Sequence, residues 1–157
     1  ELMTKQQGHI RFGVTARRNH PIKIRYFKRL NETFPDNRNH INAKGDFFVY
    51  AQLRANSNGS KYSVVFISKG WSIFVRVYSP FFQKEDLLKI PHIFVSKSNS
   101  EHGYVSLCLY KNNFGHAEFR FGDRLDTSII AWTKEWLYFY ELFLITGRWY
   151  GNGEHPQ

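Results

Sequence analysis

The sequence predicts an α+β domain in which an antiparallel sheet packs against helices, and three observations support this prediction. Apolar side chains recur at three- and four-residue spacing towards both ends of the chain, as in amphipathic helices. Between these segments, runs of alternating apolar and polar residues are separated by short turns that contain Gly, as in antiparallel hairpins. Aromatic residues make up 18% of the 157 residues, which excludes a disordered chain and indicates a single core of large side chains.

The first predicted element is a helix from Pro21 to about Thr33, since Pro21 suits the first helical position. It follows residues 1–20, which lack periodicity and form a basic N-terminal arm. The helix ends before Pro35, because the residue before a proline is pushed out of the helical region. We therefore expect an arm followed by one domain of residues 21–157.

A four-stranded antiparallel meander is predicted to follow this helix, with strands at residues 46–55, 61–68, 71–78 and 92–96. A segment that carries the single cysteine comes next, and then a long C-terminal helix. Asp126 or Thr127 can cap that helix with a side-chain oxygen, and Gly147 is the predicted stop.

The charge of the chain is strongly positive, at +9 from 22 Lys and Arg against 13 Asp and Glu. A basic cluster at residues 17–29 is suited to attract an acidic partner or nucleic acid, and it is equally consistent with a solvated helix face. The sequence has no RNA-recognition or helix-turn-helix signal, so we expect a protein partner rather than nucleic acid. It has no apolar run of about 20 residues and no signal-peptide pattern, so we expect a cytoplasmic protein without membrane contact.

Cys108 is the one cysteine, which excludes an internal disulfide and the zinc sites that need paired thiolates. No paired histidines at helical spacing and no phosphate-binding loop are present, so we predict neither metal nor cofactor. Cys108 follows a short predicted strand and precedes a turn rich in Asn and Gly. Such a position permits a reactive, partly exposed thiolate, although a small buried structural cysteine fits the same pattern.

Polar residues on both sides of Cys108 in the sequence are candidates for its chemistry. Asn99, Asn112 and the adjacent Asn113 carry amides that can stabilise an oxyanion. His102 and His116 carry imidazoles that can lower the pKa of a thiol or accept a proton from an amine.

The order of these elements resembles that of the ubiquitin-conjugating (UBC) fold, in which a helix and a four-stranded meander precede a strand end with the motif Leu-Cys-Leu. The C-terminal pattern, rich in Trp, is more specifically similar to a prokaryotic branch found in anti-phage operons of the CBASS type, beside cGAS-like nucleotidyltransferases. The resemblance covers about residues 22–156, and the segments that carry it are residues 90–94, 103–110, 127–132, 135–137, 140–141, 146–149 and 153–156.

This resemblance implies an acyl (protein) transferase in which Cys108 forms a thioester with the C-terminus of a partner, a cGAS/DncV-like nucleotidyltransferase. The acyl group would pass to a lysine amine of a target protein and thereby regulate anti-phage cyclic-oligonucleotide signalling. The eukaryotic family has a His-Pro-Asn triplet upstream of its cysteine, where this chain has Ser98-Asn99-Ser100. Asn99 is therefore the nearest candidate for the oxyanion donor, at a different offset, and Asn112 or Asn113 is the alternative.

Four further residues receive roles from the same resemblance. His155 belongs to the prokaryotic pattern, either as a catalytic neighbour of the cysteine or as a residue that docks the tail. Tyr110, His116 and Trp149 are predicted to line the groove for the incoming C-terminal tail, and Trp149 is equally consistent with a place in the core.

Three other functions remain open from the sequence. The chain can be a UBC-fold module that binds a protein tail without catalysis, although such variants usually lose the cysteine. It can be a nucleic-acid-binding domain that uses the basic residues 17–29, or a cysteine hydrolase that turns over small esters.

Overall fold

The computed structural model describes residues 21–70, 72–79, 84–109 and 119–151. Within these ranges two α-helices enclose a succession of strands, which confirms the predicted α+β class. The first helix, α1, comprises residues 21–33 and agrees with the prediction. The elements that follow are β1 His40–Ile41, β2 Phe47–Leu53, β3 Tyr62–Lys69, β4 Ser72–Tyr78, two 3-10 helices at Lys84–Leu88 and Val95–Lys97, β5 Tyr104–Ser106, and the helix α2, Ile129–Thr146.

The strands form one antiparallel sheet of five strands in the order β1-β2-β3-β4-β5, where the sequence predicted four. The central strands β2, β3 and β4 correspond to the first three predicted runs. β1 was not predicted, because its two residues are too short to show an alternating pattern. β5 comes from the cysteine-bearing segment and takes the place expected for residues 92–96.

The predicted strand at residues 92–96 is wrong. Ile93 makes only an isolated bridge to Leu107, and the chain then turns into the 3-10 helix Val95–Lys97. The carbonyl of Phe94 accepts hydrogen bonds from the amide of Lys97 at 3.0 Å and from the hydroxyl of Ser98 at 2.8 Å. These local hydrogen bonds satisfy the Phe94 carbonyl, which in a regular strand would accept a hydrogen bond from the neighbouring strand.

Both helices pack on the same face of the sheet, which we call the inner face. The inward residues of β2, from Phe47 to Leu53, are buried and confirm the face predicted from their alternation. Aromatic rings in or directly after the helices pack on aromatic rings of β2 and β3, in tilted, stacked and edge-on contacts. The ring centroids lie 5.8 Å apart for Phe27–Phe47, 5.9 Å for Phe34–Phe66 and 5.9 Å for Tyr62–Tyr140.

The start of α2 differs from the prediction, whereas its end agrees. Ser128 occupies the N-cap position, and no side chain caps the first turn. The predicted caps Asp126 and Thr127 lie too early: Asp126 forms an ion pair with Arg124, and the Ser128 hydroxyl donates to the Arg124 carbonyl at 2.6 Å. Gly147 ends the helix in the left-handed region at φ 73°, as predicted. None of the helices in the described ranges has the length and apolar character needed to cross a membrane.

An ion pair between the buried Lys23 and the partly buried Asp46 joins α1 to the sheet. Lys23 donates to the Oδ1 atom of Asp46 at 3.0 Å, and the amide of Gly70 donates to the same atom at 3.1 Å. Burial acts to raise the pKa of Asp46, but the hydrogen bonds from Lys23 and Gly70 outweigh it and hold that pKa below its usual value. Asp46 therefore joins α1 and the β3–β4 turn to the start of β2.

We expect Lys23→Met to lower the free energy of unfolding by about 3 kcal/mol, because it leaves the partly buried Asp46 carboxylate without its cation. Urea denaturation at pH 7 measures this loss. The pKa of Asp46 is lowered by folding, so its stabilising contribution is present above an unfolded pKa of about 4 and disappears as the pH falls. The difference between the wild type and the variant should therefore shrink below about pH 4.

Lys28→Met is the matched control, because Lys28 lies on the same helix and is exposed. We expect it to change the free energy of unfolding by no more than about 0.5 kcal/mol. Equal losses in the two variants would show that the Lys23–Asp46 pair does not hold α1 in place.

Candidate functional site

Cys108 lies just beyond β5, next to a buried residue that fixes its position. Leu107 is 4% exposed, bridges Ile93 in the core, and donates its amide to the Val75 carbonyl at 2.9 Å. Neighbouring residues of an extended chain face opposite ways, so burial of Leu107 turns Cys108 away from the core. Cys108 is half-buried and carries the only thiol of the chain.

His92 is the residue directly opposite Cys108. The register set by the bridge between Ile93 and Leu107 pairs residue 92 with residue 108, and the Cys108 amide donates to the His92 carbonyl at 2.8 Å. His92 has φ 61°, a left-handed conformation that costs a non-glycine residue about 1 kcal/mol. Backbone strain of this kind is concentrated at functional sites. Here the backbone hydrogen bond between Cys108 and His92 maintains the strained conformation of His92.

A cluster of aromatic rings, which we call the aromatic wall, contacts the side chain of His92. The ring centroid of Trp149, which follows α2, lies 5.5 Å from that of His92, the residue opposite Cys108. We define the aromatic wall as Trp149 and the three rings of α2 that contact it. Their centroid distances from Trp149 are 5.7 Å for Trp136, 5.9 Å for Phe139 and 6.2 Å for Phe143.

Gly151 permits the close packing of this wall. A Cβ atom added at Gly151 would lie 2.8 Å from a ring carbon of Phe139 and 2.8 Å from the Nε1 atom of Trp149. Those distances are below any ordinary contact, so a side chain at this position would displace one of the rings. The Nε1 atom of Trp149 is buried and has no hydrogen-bond partner in the described part of the chain.

Asn99 and His102, two of the predicted catalytic residues, lie at the other end of β5 from Cys108. Asn99 and Tyr104 exchange both backbone hydrogen bonds, at 2.9 and 3.0 Å, and the Asn99 side-chain oxygen accepts the His102 amide at 3.1 Å. Cys108 is four positions after Tyr104 along an extended chain, which corresponds to about 13 Å. The structure therefore places both residues in the turn before β5, and their catalytic roles stay predictions.

The remaining predicted site residues divide into two groups. Trp149 belongs to the aromatic wall and is half-buried, which suits both roles that the sequence left open for it, a core position and a side of the groove. The others lie outside the described residues, namely Tyr110, Asn112, Asn113, His116 and His155.

The sequence pointed to His92 only as part of a strand and missed its position opposite the thiol. Its left-handed backbone results from pairing with residues that are distant in sequence, which no local pattern reports. The one available signal is the residue type, because His, like Asn and Asp, is enriched among non-glycine residues with positive φ.

The described part of the site contains a thiol-bearing residue that pairs through its backbone with His92, and the ring of His92 contacts the aromatic wall. A thiolate is a strong nucleophile for acyl groups, and a flanking histidine is a common neighbour of such a group. Among the residues that the structure describes, no three His, Cys, Asp or Glu side chains lie close enough together to hold a metal ion.

Comparison with known proteins gives one family. No curated protein is significantly similar to the chain. A family model described as "Type II CBASS E2 protein" matches residues 26–156, a range that begins within α1 and includes the whole sheet, His92, Cys108 and the aromatic wall. This match confirms the resemblance to the prokaryotic CBASS branch, and the chain belongs to the Type II CBASS E2 protein family.

Proposed function

We propose that this protein is a conjugating enzyme of the ubiquitin-conjugating type, which carries the C-terminus of a partner protein as a thioester on Cys108. Its family gives it a role in CBASS anti-phage defence. The observation that supports the thioester most directly is the half-buried position of the single cysteine, just past β5 and opposite His92. The five-stranded sheet with α1 and α2 on one face is consistent with a UBC-like fold.

The proposed chemistry has two acyl-transfer steps. In the first, the Cys108 thiolate attacks the carbonyl carbon of an activated C-terminus, either an acyl adenylate or a thioester of an activating enzyme, and the activating group leaves. In the second, a lysine amine of the target attacks the thioester carbon, the Cys108 thiolate leaves, and the amine loses a proton. Transfer from a thioester to an amide is downhill, so the enzyme chiefly orients the amine and stabilises the oxyanion.

We propose a cGAS/DncV-like nucleotidyltransferase of the same defence system as the partner, held by its C-terminal tail. The aromatic wall supports this part of the proposal, because an apolar surface beside a thiol can receive the side chains of an extended peptide. Tyr110, His116 and Trp149 would line the groove, and His155 would dock the tail or stand beside the thiol.

The candidates for the oxyanion donor have different positions relative to the thiol. Asn112 is four residues beyond Cys108 in the sequence, so we propose it as the donor, with Asn113 as the alternative. Asn99 uses its side-chain oxygen to hold the amide of His102. For these two residues we propose support of the turn that leads into β5.

His92 is proposed as a positioning residue for Cys108. Its carbonyl holds the Cys108 amide at 2.8 Å, and its ring rests on Trp149. It thereby sets the thiol at a defined distance from the wall. A residue that fixes a nucleophile in this way influences the acyl-transfer rate without touching the reacting atoms.

We expect co-expression with the nucleotidyltransferase of the same defence system, and with an activating enzyme that adenylates its C-terminus, to give an adduct whose mass equals the sum of the two chains less one water. Thiol reductant should release it, because a thioester exchanges with free thiols. Cys108→Ala should abolish the adduct, and Cys108→Ser should give an adduct that resists the reductant, because the bond is then an ester. Intact-mass spectrometry of the purified pair measures all three results.

The same experiment separates the proposal from its alternatives. A complex that forms equally with Cys108→Ala, without any covalent adduct in the wild type, would indicate a non-catalytic module that binds a tail. Rapid hydrolysis of small thioesters without an adduct would indicate a hydrolase.

We expect His92→Gly to slow adduct formation about tenfold at saturating partner concentration, because loss of the ring frees the thiol from the wall. Glycine adopts the left-handed backbone without strain, which offsets the larger entropy that it loses on folding, so the stability of the variant in thermal unfolding should stay within about 1 kcal/mol of the wild type. His92→Asn, which also tolerates this backbone, should be similarly slow. If both variants keep the wild-type rate, His92 has no positioning role.

We expect Gly151→Ala to weaken capture of the partner tail, because the added methyl group displaces Trp149 or Phe139. The concentration of partner that gives the half-maximal rate should rise about fivefold, with a stability loss of about 1–3 kcal/mol. Gly122→Ala is a control for a loss of stability away from the wall, since φ 111° strains any side chain at this position whereas no atom lies within 4 Å of the added methyl group. Equal kinetics in the two variants would argue against a role for the aromatic wall in tail binding.

A further inference from the structure

The face of the sheet opposite α1 and α2, which we call the outer face, combines rings with positive charge. It contains the side chains that alternate with the core residues along the strands. In the described ranges the element on this side is the 3-10 helix Val95–Lys97, which places Lys97 over β4. The outward residues of the strands include His40, Phe48, Tyr50, Phe74, Arg76, Tyr78 and Tyr104.

Three cations of the outer face lie over aromatic rings. The guanidinium of Arg38 is 4.3 Å from the Tyr50 centroid, and that of Arg76 is 4.5 Å from the Tyr104 centroid. The ammonium of Lys97 is 4.8 Å from the Phe74 centroid. The His40 ring stacks on Phe48 at 5.1 Å. The outer face is therefore a set of flat surfaces that carry positive charge.

Strand register arranges these surfaces in rows. Phe48 and Phe74 lie in one row, on either side of Ile67, and Tyr50 and Arg76 lie in the next, on either side of Val65. Successive rows are two residues apart along each strand, which is about 6.8 Å. Aromatic rings and cations therefore recur in successive rows across the sheet.

The charge of this face is only partly compensated. Arg38 forms an ion pair with Asp36 at 2.9 Å. Within the described part of the chain, Arg76 and Lys97 have aromatic contacts and no ion pair. A ligand that brings negative charge is therefore complementary to the outer face.

We propose that the outer face binds single-stranded nucleic acid with little sequence preference. Bases stack on aromatic rings and on guanidinium planes, and phosphates pair with the cations between them. An acidic protein surface would match the charge alone and would not use the flat planes of the rings and guanidinium groups for stacking. The proposal goes beyond conjugation and does not depend on Cys108.

The test is fluorescence anisotropy of the full chain with a labelled 20-nucleotide oligo-dT and with oligo-U of the same length. Binding should weaken as salt rises from 50 to 200 mM, since phosphate contacts release counterions. Arg76→Ala should weaken binding about fivefold and make the salt slope shallower by about 0.7. Lys97→Ala should have a similar effect, and Lys97 is exposed, so folding is not at risk.

Arg148→Ala is the matched control. Arg148 lies 5.3 Å from the centroid of Tyr150 and forms a cation–π pair after α2, away from the outer face. Arg148→Ala removes the same charge as Arg76→Ala. The comparison therefore distinguishes binding at the outer face from general attraction to the net charge of +9. We expect Arg148→Ala to weaken binding less than twofold.

Two further probes distinguish stacking from simple charge attraction. An abasic oligonucleotide of the same length should bind at least fivefold more weakly, because it keeps the phosphates and lacks the bases. A 20-residue poly-glutamate peptide should compete poorly with oligo-dT. Absence of binding at 50 mM salt, equal effects of Arg76→Ala and Arg148→Ala, or equal binding of the abasic oligonucleotide would each overturn the proposal. Equal competition by poly-glutamate would do the same and would indicate an acidic protein partner.

Discussion

The hydrogen bond from the Leu107 amide to the Val75 carbonyl determines where the single thiol of this chain lies. It extends the pairing of β4 past the end of β5 and keeps Leu107 in the core, so that the next residue must face the other way. A register shift of one residue would bury Cys108 and expose Leu107. The apolar contact of Leu107 with Ile93 opposes that shift, and it also sets His92 opposite the thiol. Packing in the core and the geometry of the candidate site are thus consequences of the same pairing.

The aromatic composition explains how a short chain builds both a core and a wall. On the inner face, rings from α1 and α2 meet rings of the sheet at centroid distances near 6 Å, which fills the space between layers with few residues. At the end of α2 the same kind of contact continues beyond the core, where Trp136 stacks on Tyr140 and also meets Trp149. The wall is therefore a continuation of the core towards His92, and three of its four rings are carried by one helix.

Sequence patterns predicted the elements whose signal is local. The alternation in β2 and the glycine that ends α2 are of this kind, since each depends on residues next to one another. The errors arise where tertiary contacts determine the conformation of a segment. Residues 92–96 have the composition of a strand, but the hydroxyl of Ser98 binds the Phe94 carbonyl and closes a turn. The same limit applies to the site: chemistry singled out Cys108 and Asn99 from residue type, whereas His92 owes its position to a bridge between distant segments.

The inward and outward residues of β4 contribute to different surfaces, so a mutation can change one surface without the other. Val75 points into the core and offers its carbonyl to Leu107, whereas the next residue, Arg76, points outward and lies over Tyr104. Because neighbouring strand residues face opposite sides, a change at Arg76 alters the charge of the outer face while the backbone bond that positions Cys108 remains. The Cys108 amide also donates to the His92 carbonyl, which belongs to a different segment. The proposed conjugation and the proposed nucleic-acid binding should therefore be lost independently, even though one pair of strands supports both surfaces.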